Sequence, residues 1–348
     1  MGWQSYAATN NVWCRSKMLA DQERLVTAGT LQFQLDQSYS LTNPVIFQST
    51  RTRPWAQSLC CRQSSHGDIT VSVSLNEETC FSITCPAPGE ARSNATLVTF
   101  SWNRSHSFAA LTVEDAFSQK GNTATAANLM PPLLQWLMAD VTAAPTMKPL
   151  DFVAYSDRVE PVGPMPGIHP LTQIDTLKGS KPACDLSRGD TILTTEGPQT
   201  ILARLEKEML PVGVFAPVRL LTPHLGLRKD ILLARHQPVY FSGSTVEYEL
   251  GLDSITIPAA YLEMLKESQD TVEPQRYYQF LLAKPAGIQA HGALVQSLNI
   301  GRMRRDHDAL SRSLLASLDP AHLPDHGDAT PKPASDYAAH LLLSDRLA

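Results

Sequence analysis

Alternation of apolar and polar residues with a period of two runs through most of the chain, and it limits the fold more than any other feature. Such alternation indicates half-buried β-strands, with one face toward a core and the other toward solvent. Within residues 1–145 it is clearest in TLQFQLD, DITVSVSLN, TCFSITC, TLVTFSWN and SFAALTVED. Short strands in series with turn residues between them predict an antiparallel β-sandwich over 1–145.

Residues 127–141, ANLMPPLLQWLMADV, break this period. Their apolar spacing predicts a short helix whose first turn follows the two prolines. The prolines at 145, 149, 161, 164 and 166 then predict a linker, which we place at 146–162. Within it, 150–162 is a candidate for one further strand.

Residues 163–300 are rich in strand patterns again. The candidates are TQIDTL, DTILTT, QTILARLE, APVRLLT, DILLARHQPVYF, STVEYEL, SITIPAAYL and RYYQFLLA, with one helix-like piece at 258–268. In 303–318 four leucines share one helical face, which predicts an amphipathic helix. With a last short helix near 335–347, residues 301–348 form a helical C-terminal tail. The sequence therefore predicts a mainly β protein that ends in short helices.

The overall charge and hydropathy exclude several classes of partner. The net charge of −5 argues against a nucleic-acid partner, which requires a basic surface. The chain has no run of about 18 to 20 apolar residues, so no membrane span is predicted. Its first residues lack a basic-then-apolar layout, so we expect no conventional signal peptide. A cytoplasmic location and secretion by another route both stay open.

No cofactor or metal site is predicted. The P-loop, HExxH, GxSxG and GxGxxG signatures are absent. His224 and His236 lie on different predicted elements without a nearby cysteine or acidic cluster, which is a weak basis for a metal site. The 6 cysteines include no CxxC pair and are expected to be reduced thiols, with disulfides as the less favoured reading.

Six blocks in the middle of the chain resemble the Hint domain, the autoprocessing module shared by hedgehog C-terminal domains and inteins. They are TQIDT (172–176), CDLSRGDTILT (184–194), GPQTI (197–201), PVRL (217–220), DILLARHQ (230–237) and ITIPA (255–259). Their order and spacing are most similar to the bacterial branch common in alphaproteobacteria. The resemblance implies an all-β Hint horseshoe over 163–300.

The N-terminal portion resembles, more loosely, a concanavalin-like or laminin-G-like sandwich. The segments that carry this likeness are TLVTFSW (96–102) and AALTVED (109–115). The likeness implies a protein or glycan partner, and it rests on fold analogy alone.

A Hint domain acts on the peptide bond that precedes its own first residue. The family pattern implies a Cys or Ser nucleophile there, and a Thr/Ser-x-x-His block that protonates the leaving amine. In this chain the nucleophile position falls on Gly167, which has no side chain. One register keeps His236 and puts Leu233 at the hydroxyl, while the ungapped register puts Ala234 at the hydroxyl and Gln237 at the histidine. A later family histidine falls on Ala286, with His291 close by.

Two hypotheses follow from these departures. In the first, the domain has a degenerate active site, does not cleave itself, and serves as a structural or binding scaffold. In the second, it is an autocatalytic enzyme with displaced groups, which uses His236 with Cys184 or a water molecule to cut at Pro166–Gly167. His169, two residues beyond Gly167, is expected to be a surface histidine near the turn and not a replacement for the ester-forming group.

Overall fold

The computed structural model describes residues 2–15, 21–39, 44–89, 93–127, 130–263, 272–327, 332–334, 338–339 and 341–342. The chain divides into two compact units, Met1–Glu160 and Pro161–Ala348.

The first unit is built from antiparallel strands. Its strands are β1 (Trp3–Ala8), β2 (Val12–Cys14), β3 (Leu25–Val26), β4 (Ala28–Asp36), β5 (Val45–Arg51), β6 (Gln57–Gln63), β7 (Ile69–Leu75), β8 (Glu78–Cys85), β9 (Ala95–Asn103), β10 (Phe108–Asp115), β11 (Gly121–Ala126), β12 (Leu133–Leu134) and β13 (Leu150–Ser156). One sheet of seven has the order β11-β10-β9-β4-β13-β1-β2, and one of four has the order β5-β6-β7-β8. Strands β3 and β12 form a separate pair.

The two larger sheets of this unit share one hydrophobic core. Phe33 and Phe100 from the larger sheet belong to the same buried cluster as Leu59 and Val71 from the smaller one. The period-two pattern has its expected effect in β7, where buried and half-buried residues alternate. An antiparallel sandwich in the N-terminal part is therefore confirmed.

Two local features refine the sequence prediction. The candidate strand within 150–162 is β13, which lies between β4 and β1 in the larger sheet, and the division between units falls after Glu160. The run is apolar on both faces, which suits a central strand, because Phe152 and Ala154 bury on one face while Val153 and Tyr155 bury on the other. The helix predicted in 127–141 is α1 (Gln135–Val141), and it begins four residues after Pro131.

The second unit is also mainly β. Its strands are β14 (Gln173–Thr176), β15 (Gly179–Pro182), β16 (Thr191–Thr194), β17 (Gly197–Thr200), β18 (Ala203–Met209), β19 (Pro217–Leu220), β20 (Ile231–Ala234), β21 (Pro238–Ser242), β22 (Ser254–Pro258), β23 (Gln275–Leu281), β24 (Gly287–Ala290), β25 (Ala293–Gln296) and β26 (Lys332–Pro333). A nine-stranded sheet runs β15-β14-β16-β24-β25-β21-β22-β26, with β17 paired to β16. Strands β18 and β23 form one further pair, and β19 and β20 form another.

One predicted strand of this unit is a helix. STVEYEL forms α2 (Ser244–Leu250), between Gly243 with φ 105° and Gly251 with φ 63°. A period of two was the wrong choice here, because the buried Val246 and the half-buried Leu250 are four residues apart and so share one helical face. Glycines with positive φ at both ends let the chain turn into and out of the helix.

The predicted helix at 303–318 is broken into shorter pieces. These are α3 (Gly301–Arg304), α4 (His307–Arg312) and a 3-10 turn at Leu314–Ser317. Each break is marked by an N-cap that begins the next piece: the side chain of Asp306 accepts from the Ala309 N–H, and that of Ser313 accepts from the Leu315 N–H. The spacing of the leucines in the sequence continues across both caps, so it did not predict these breaks.

The other predicted helices of this unit are only partly described. The candidate at 258–268 begins as a 3-10 turn, Ala259–Leu262, and its later part lies outside the described residues. Most of the helix predicted at 335–347 also lies outside them. Among the residues that the structure describes, no helix is long and apolar enough to cross a membrane.

Candidate functional site

The segment that carries the expected nucleophile position is inserted between two strands. Ile168 forms bridges to Leu233 of β20 and to Tyr278 of β23. Its N–H donates to the Tyr278 carbonyl at 3.0 Å, and its own carbonyl accepts from the Tyr278 N–H at 2.9 Å. The Ala234 N–H donates to the Gly167 carbonyl at 2.8 Å. These bonds fix Gly167 in the interior of the unit, where it is buried.

Gly167 lies directly against the side chain of Gln237. A Cβ placed on Gly167 would lie 2.5 Å from Gln237 Oε1 and 2.7 Å from Gln237 Cβ. These distances are well inside van der Waals contact, so position 167 has no room for any side chain while Gln237 keeps this conformation. The carboxamide occupies the space in which a nucleophile would stand.

Gln237 belongs to a buried cluster of three glutamines, here called the glutamine cluster (Gln237, Gln279 and Gln296). Gln237 Nε2 donates to the carbonyl of Gln296 at 3.0 Å, and Gln279 Nε2 donates to Gln237 Oε1 at 3.2 Å. The Phe280 N–H in turn donates to Gln279 Oε1 at 3.0 Å. All three side chains are at most 9% exposed. Gln296 takes part through its backbone carbonyl, and its own Oε1 is buried without a hydrogen-bond partner among the described residues. The bonded amides of Gln237 and Gln279 are held in place, because each lost bond would leave a desolvated polar group.

Only one member of this cluster was a candidate from the sequence. Gln279 and Gln296 were missed because each was assigned only as part of a strand or left unassigned. The available signal was a glutamine inside the otherwise apolar runs YYQFLL and ALVQS, since an uncharged polar residue in a buried strand requires a partner. The sequence alone does not identify the partner of either glutamine.

His236 is fully buried and does not contact Gly167 in the bonds that the structure shows. Its Nδ1 lies 3.0 Å from the Val214 carbonyl, and its Nε2 lies 3.1 Å from the carbonyl of Met165. Its ring also packs edge-on against Phe215, with 5.6 Å between the ring centroids. Burial lowers the pKa of His236, although both carbonyl contacts oppose this shift. The lowered pKa favours the neutral ring at pH 7, and its single N–H then donates to one of the two carbonyls.

The hydroxyl position is apolar in either register. Leu233 and Ala234 are both fully buried at the end of β20. The nearby Thr172 does carry a hydroxyl, but its Oγ1 donates to the Leu232 carbonyl at 2.6 Å. No side chain of the Thr/Ser type is thus presented by β20 toward Gly167.

The position of the later family histidine is also apolar. Ala286 is buried, and its N–H donates to Ser297 Oγ at 2.9 Å. His291 occupies a tight turn at φ 50°, where its carbonyl accepts from the Arg228 N–H at 2.7 Å. Burial lowers the pKa of His291.

The two remaining candidates have local partners. Cys184 Sγ lies 3.5 Å from Asp185 Oδ1, and burial together with that carboxylate raises the pKa of the thiol. The expected surface position of His169 was wrong: the side chain is buried, because its ring packs edge-on against Tyr277 and its Nδ1 accepts from the Leu171 N–H at 3.3 Å. Among the described residues no group of three or more His, Cys, Asp or Glu side chains could hold a metal ion.

Comparison with protein families identifies the central part of the chain. The model of the Hint_2 family, described as Hint domain, matches residues 166–302. The match begins one residue before Gly167 and ends within α3, so this part of the chain is similar to Hint domains. No curated protein matches the chain.

Several solved structures are similar at low levels. The CBM40 domain of the IT-sialidase of Ruminococcus gnavus, bound to α2,3-sialyllactose, is 11% identical with a TM-score of 0.26, over 44% of this chain and 73% of that one. The leech intramolecular trans-sialidase is 10% identical with a TM-score of 0.26, over 45% and 24%. The LG1–3 region of the laminin α2 chain is 10% identical with a TM-score of 0.28, over 85% and 55%. Likeness at this level does not establish a shared site or ligand.

Proposed function

We propose that the Hint domain of this chain is degenerate: it does not cleave its own chain and serves as a structural or binding scaffold. The observation that carries the proposal is the contact of Gly167 with Gln237, which removes the nucleophile and also fills its place. Formation of an ester or thioester requires a side-chain oxygen or sulfur at position 167. Glycine supplies neither. The strand blocks favour assignment to the bacterial branch of the family.

The surroundings of the would-be scissile bond support the same conclusion. A general acid must reach the leaving amide nitrogen, which here is the nitrogen of Gly167. The polar contacts of His236 instead go to the carbonyls of Val214 and Met165. A neutral ring has a single N–H, and either position of that proton directs it at one of these two carbonyls and not at Gly167.

The geometry gives less support to an autocatalytic role through displaced groups. In the form that uses Cys184 in place of a water molecule, that alternative requires a thiolate, but the pKa of this thiol is raised by burial and by Asp185. The thiolate is the nucleophilic form, so the fraction of reactive Cys184 at neutral pH is reduced. We therefore favour a scaffold role over self-cleavage through displaced groups.

The sandwich of the first unit is the part of the scaffold that we assign to a protein or glycan partner. Two of its aromatic side chains, Tyr39 and Trp55, are exposed by 51% and 38%. Exposed aromatic rings offer apolar faces for stacking with a sugar or a protein side chain. Glycan-array binding by the full chain, repeated with Trp55→Ala, tests this assignment.

The intact mass of the full-length protein tests the loss of cleavage. Samples are measured fresh and after prolonged incubation with dithiothreitol, which releases thioester intermediates. We expect one species at 38.1 kDa in both samples. Fragments that separate between Pro166 and Gly167 would overturn the proposal, and His236→Ala would then show whether the retained histidine is responsible.

A restored variant tests the reason for the loss. Gly167→Cys combined with Ala234→Thr and Gln237→His returns the family's groups in the ungapped register and removes the carboxamide from position 167. We expect thiol-dependent cleavage only when all three changes are present. The matched control carries Gly167→Ala with the same two partner changes, which leaves the backbone and the histidine but no nucleophile.

A further inference from the structure

His326 fastens the segment that follows the Hint domain to the β18–β23 sheet. Its side chain is buried, and both ring nitrogens are bonded to backbone. The Ile300 N–H donates to Nδ1 at 3.2 Å, and Nε2 lies 2.9 Å from the carbonyl of Leu282, the residue directly after β23. The imidazole therefore joins the start of α3 to the end of β23.

These two bonds fix the tautomer. A backbone N–H can only donate, so Nδ1 must present a lone pair and carry no proton. The single proton of the neutral ring is then on Nε2, which donates to the Leu282 carbonyl. Protonation would place an N–H at Nδ1 facing the Ile300 N–H, and the first bond would be lost. His236 differs in this respect, because both its nitrogens face carbonyls.

The segment that His326 closes is residues 301–327, here called the C-terminal strap. Its apolar side chains share one cluster with the second unit, in which Met303, Leu310, Leu315 and Leu323 pack against Leu205, Leu281 and Ile300. A close backbone approach lies at the same point, since a Cβ on Gly301 would be 2.2 Å from the carbonyl of His326. The helical pieces of the strap have at most six residues each, so its position depends on such contacts.

We propose that His326 is a pH-sensitive latch, which holds the C-terminal strap on the β18–β23 sheet at neutral pH and loosens it in mild acid. The apolar surface uncovered by loosening would include Leu205, Leu281 and Ile300. This inference does not depend on the loss of self-cleavage, because it concerns residues beyond the reacting positions.

The electrostatic surroundings favour the neutral ring. Burial lowers the pKa of His326, and Arg304 acts in the same direction, whereas Asp325 and the carbonyls of Leu282 and Ala283 oppose it. Arg304 and Asp325 also pair with each other at 3.4 Å near the surface. Because the folded pKa lies below that of a free histidine, about 6.5, the contribution to stability is complete above that value and is lost as the pH falls.

Hydrogen exchange of the full-length protein, followed by mass spectrometry at about pH 7.5 and about pH 5, tests the latch. Rates are corrected for the pH dependence of the exchange chemistry. We expect peptides within 298–327 to exchange about tenfold faster in acid relative to peptides of 230–242, the factor that one lost hydrogen bond of ordinary strength represents. His326→Asn keeps an acceptor near the Nδ1 position without a titrating group, and should abolish the acid response.

His322→Gln is the matched control, because His322 lies in the same strap but is 79% exposed on its side chain. This variant should keep the full acid response. An equal acid response in wild type and His326→Asn would overturn the latch, and so would the absence of any response in wild type. If His326→Asn does not fold, the pKa of His326 is measured in the wild type by NMR, and a value at or above that of free histidine overturns the proposal.

Discussion

The substitution Gly167→Ala measures directly how completely position 167 is filled. The added methyl group would lie 2.5 Å from Gln237 Oε1 and 2.7 Å from Gln237 Cβ, roughly an ångström inside ordinary contact. Gln237 cannot move aside freely, because its amide donates to the Gln296 carbonyl and its Oε1 accepts from Gln279. Relief of the clash therefore requires a shift of the backbone or a break in the glutamine cluster.

The expected loss of stability follows from these contacts. Overpacking of a close-packed interior destabilises by about 1–3 kcal/mol. Loss of one or two hydrogen bonds of Gln237 adds about 1 kcal/mol each. The smaller conformational entropy of alanine in the unfolded chain offsets about 0.4–1 kcal/mol. We expect a net decrease of about 2–4 kcal/mol in the free energy of unfolding.

Urea unfolding followed by far-UV circular dichroism measures this decrease. Tryptophan emission provides an internal reference, because all 5 tryptophans lie between residues 3 and 136, in the first unit. Gly327→Ala is the matched control, since a Cβ there meets no atom within 4 Å. In a Gln237→Ala background the effect of Gly167→Ala should fall without vanishing, because the Cβ of residue 237 remains. A loss below about 0.5 kcal/mol would refute the filled site.

Three further predictions rest on buried polar groups. Tyr277→Phe should change the free energy of unfolding by less than about 0.5 kcal/mol or raise it slightly, because the buried hydroxyl has no hydrogen-bond partner among the described residues; urea unfolding checks this. Burial lowers the pKa of both His169 and His236, so the unfolded chain binds more protons and the urea midpoint should fall between about pH 7 and about pH 5. Asp115→Ala should destabilise the first unit by about 3 kcal/mol, measured by tryptophan emission in urea, because the N–H groups of Ser93, Phe117 and Ser118 lose their shared carboxylate acceptor.

The strand content could be read from the sequence where one face of a strand is buried. ITVSVSL forms β7 with alternating burial, as its pattern predicts. The pattern failed where both faces are buried or where the residues are small and polar. WQSYAA and QSLCCRQ form β1 and β6, yet their buried residues include serine and glutamine that satisfy their polar groups within the unit. Alternation in hydropathy disappears when both faces meet protein.

One feature of the candidate site could be predicted from the sequence and the other depends on contacts between distant residues. The absence of a side chain at Gly167 is visible in the sequence, because it depends on one position. The filling of that position depends on Gln237, Gln279 and Gln296, which lie up to 59 residues apart and meet only in the folded unit. Two sequence registers also remained open at the histidine block. In the structure Gln237 lies beside Gly167, and His236 Nε2 lies near the Met165 carbonyl.

The coupling between Gly167 and the glutamine cluster has a consequence for how the reacting groups could be regained. Gly167→Cys alone would meet Gln237 in the same way as Gly167→Ala, and so would destabilise the domain before any chemistry is possible. Gln237→His alone would remove the acceptor of Gln279 while position 167 still lacks a nucleophile. Each single reversion therefore loses stability without a gain in activity, since contacting residues do not contribute additively. If the proposed loss of cleavage is correct, single changes would not restore it, whereas simultaneous change at positions 167, 234 and 237 removes the contact with Gln237 Oε1 and leaves only the contact with the Cβ of residue 237.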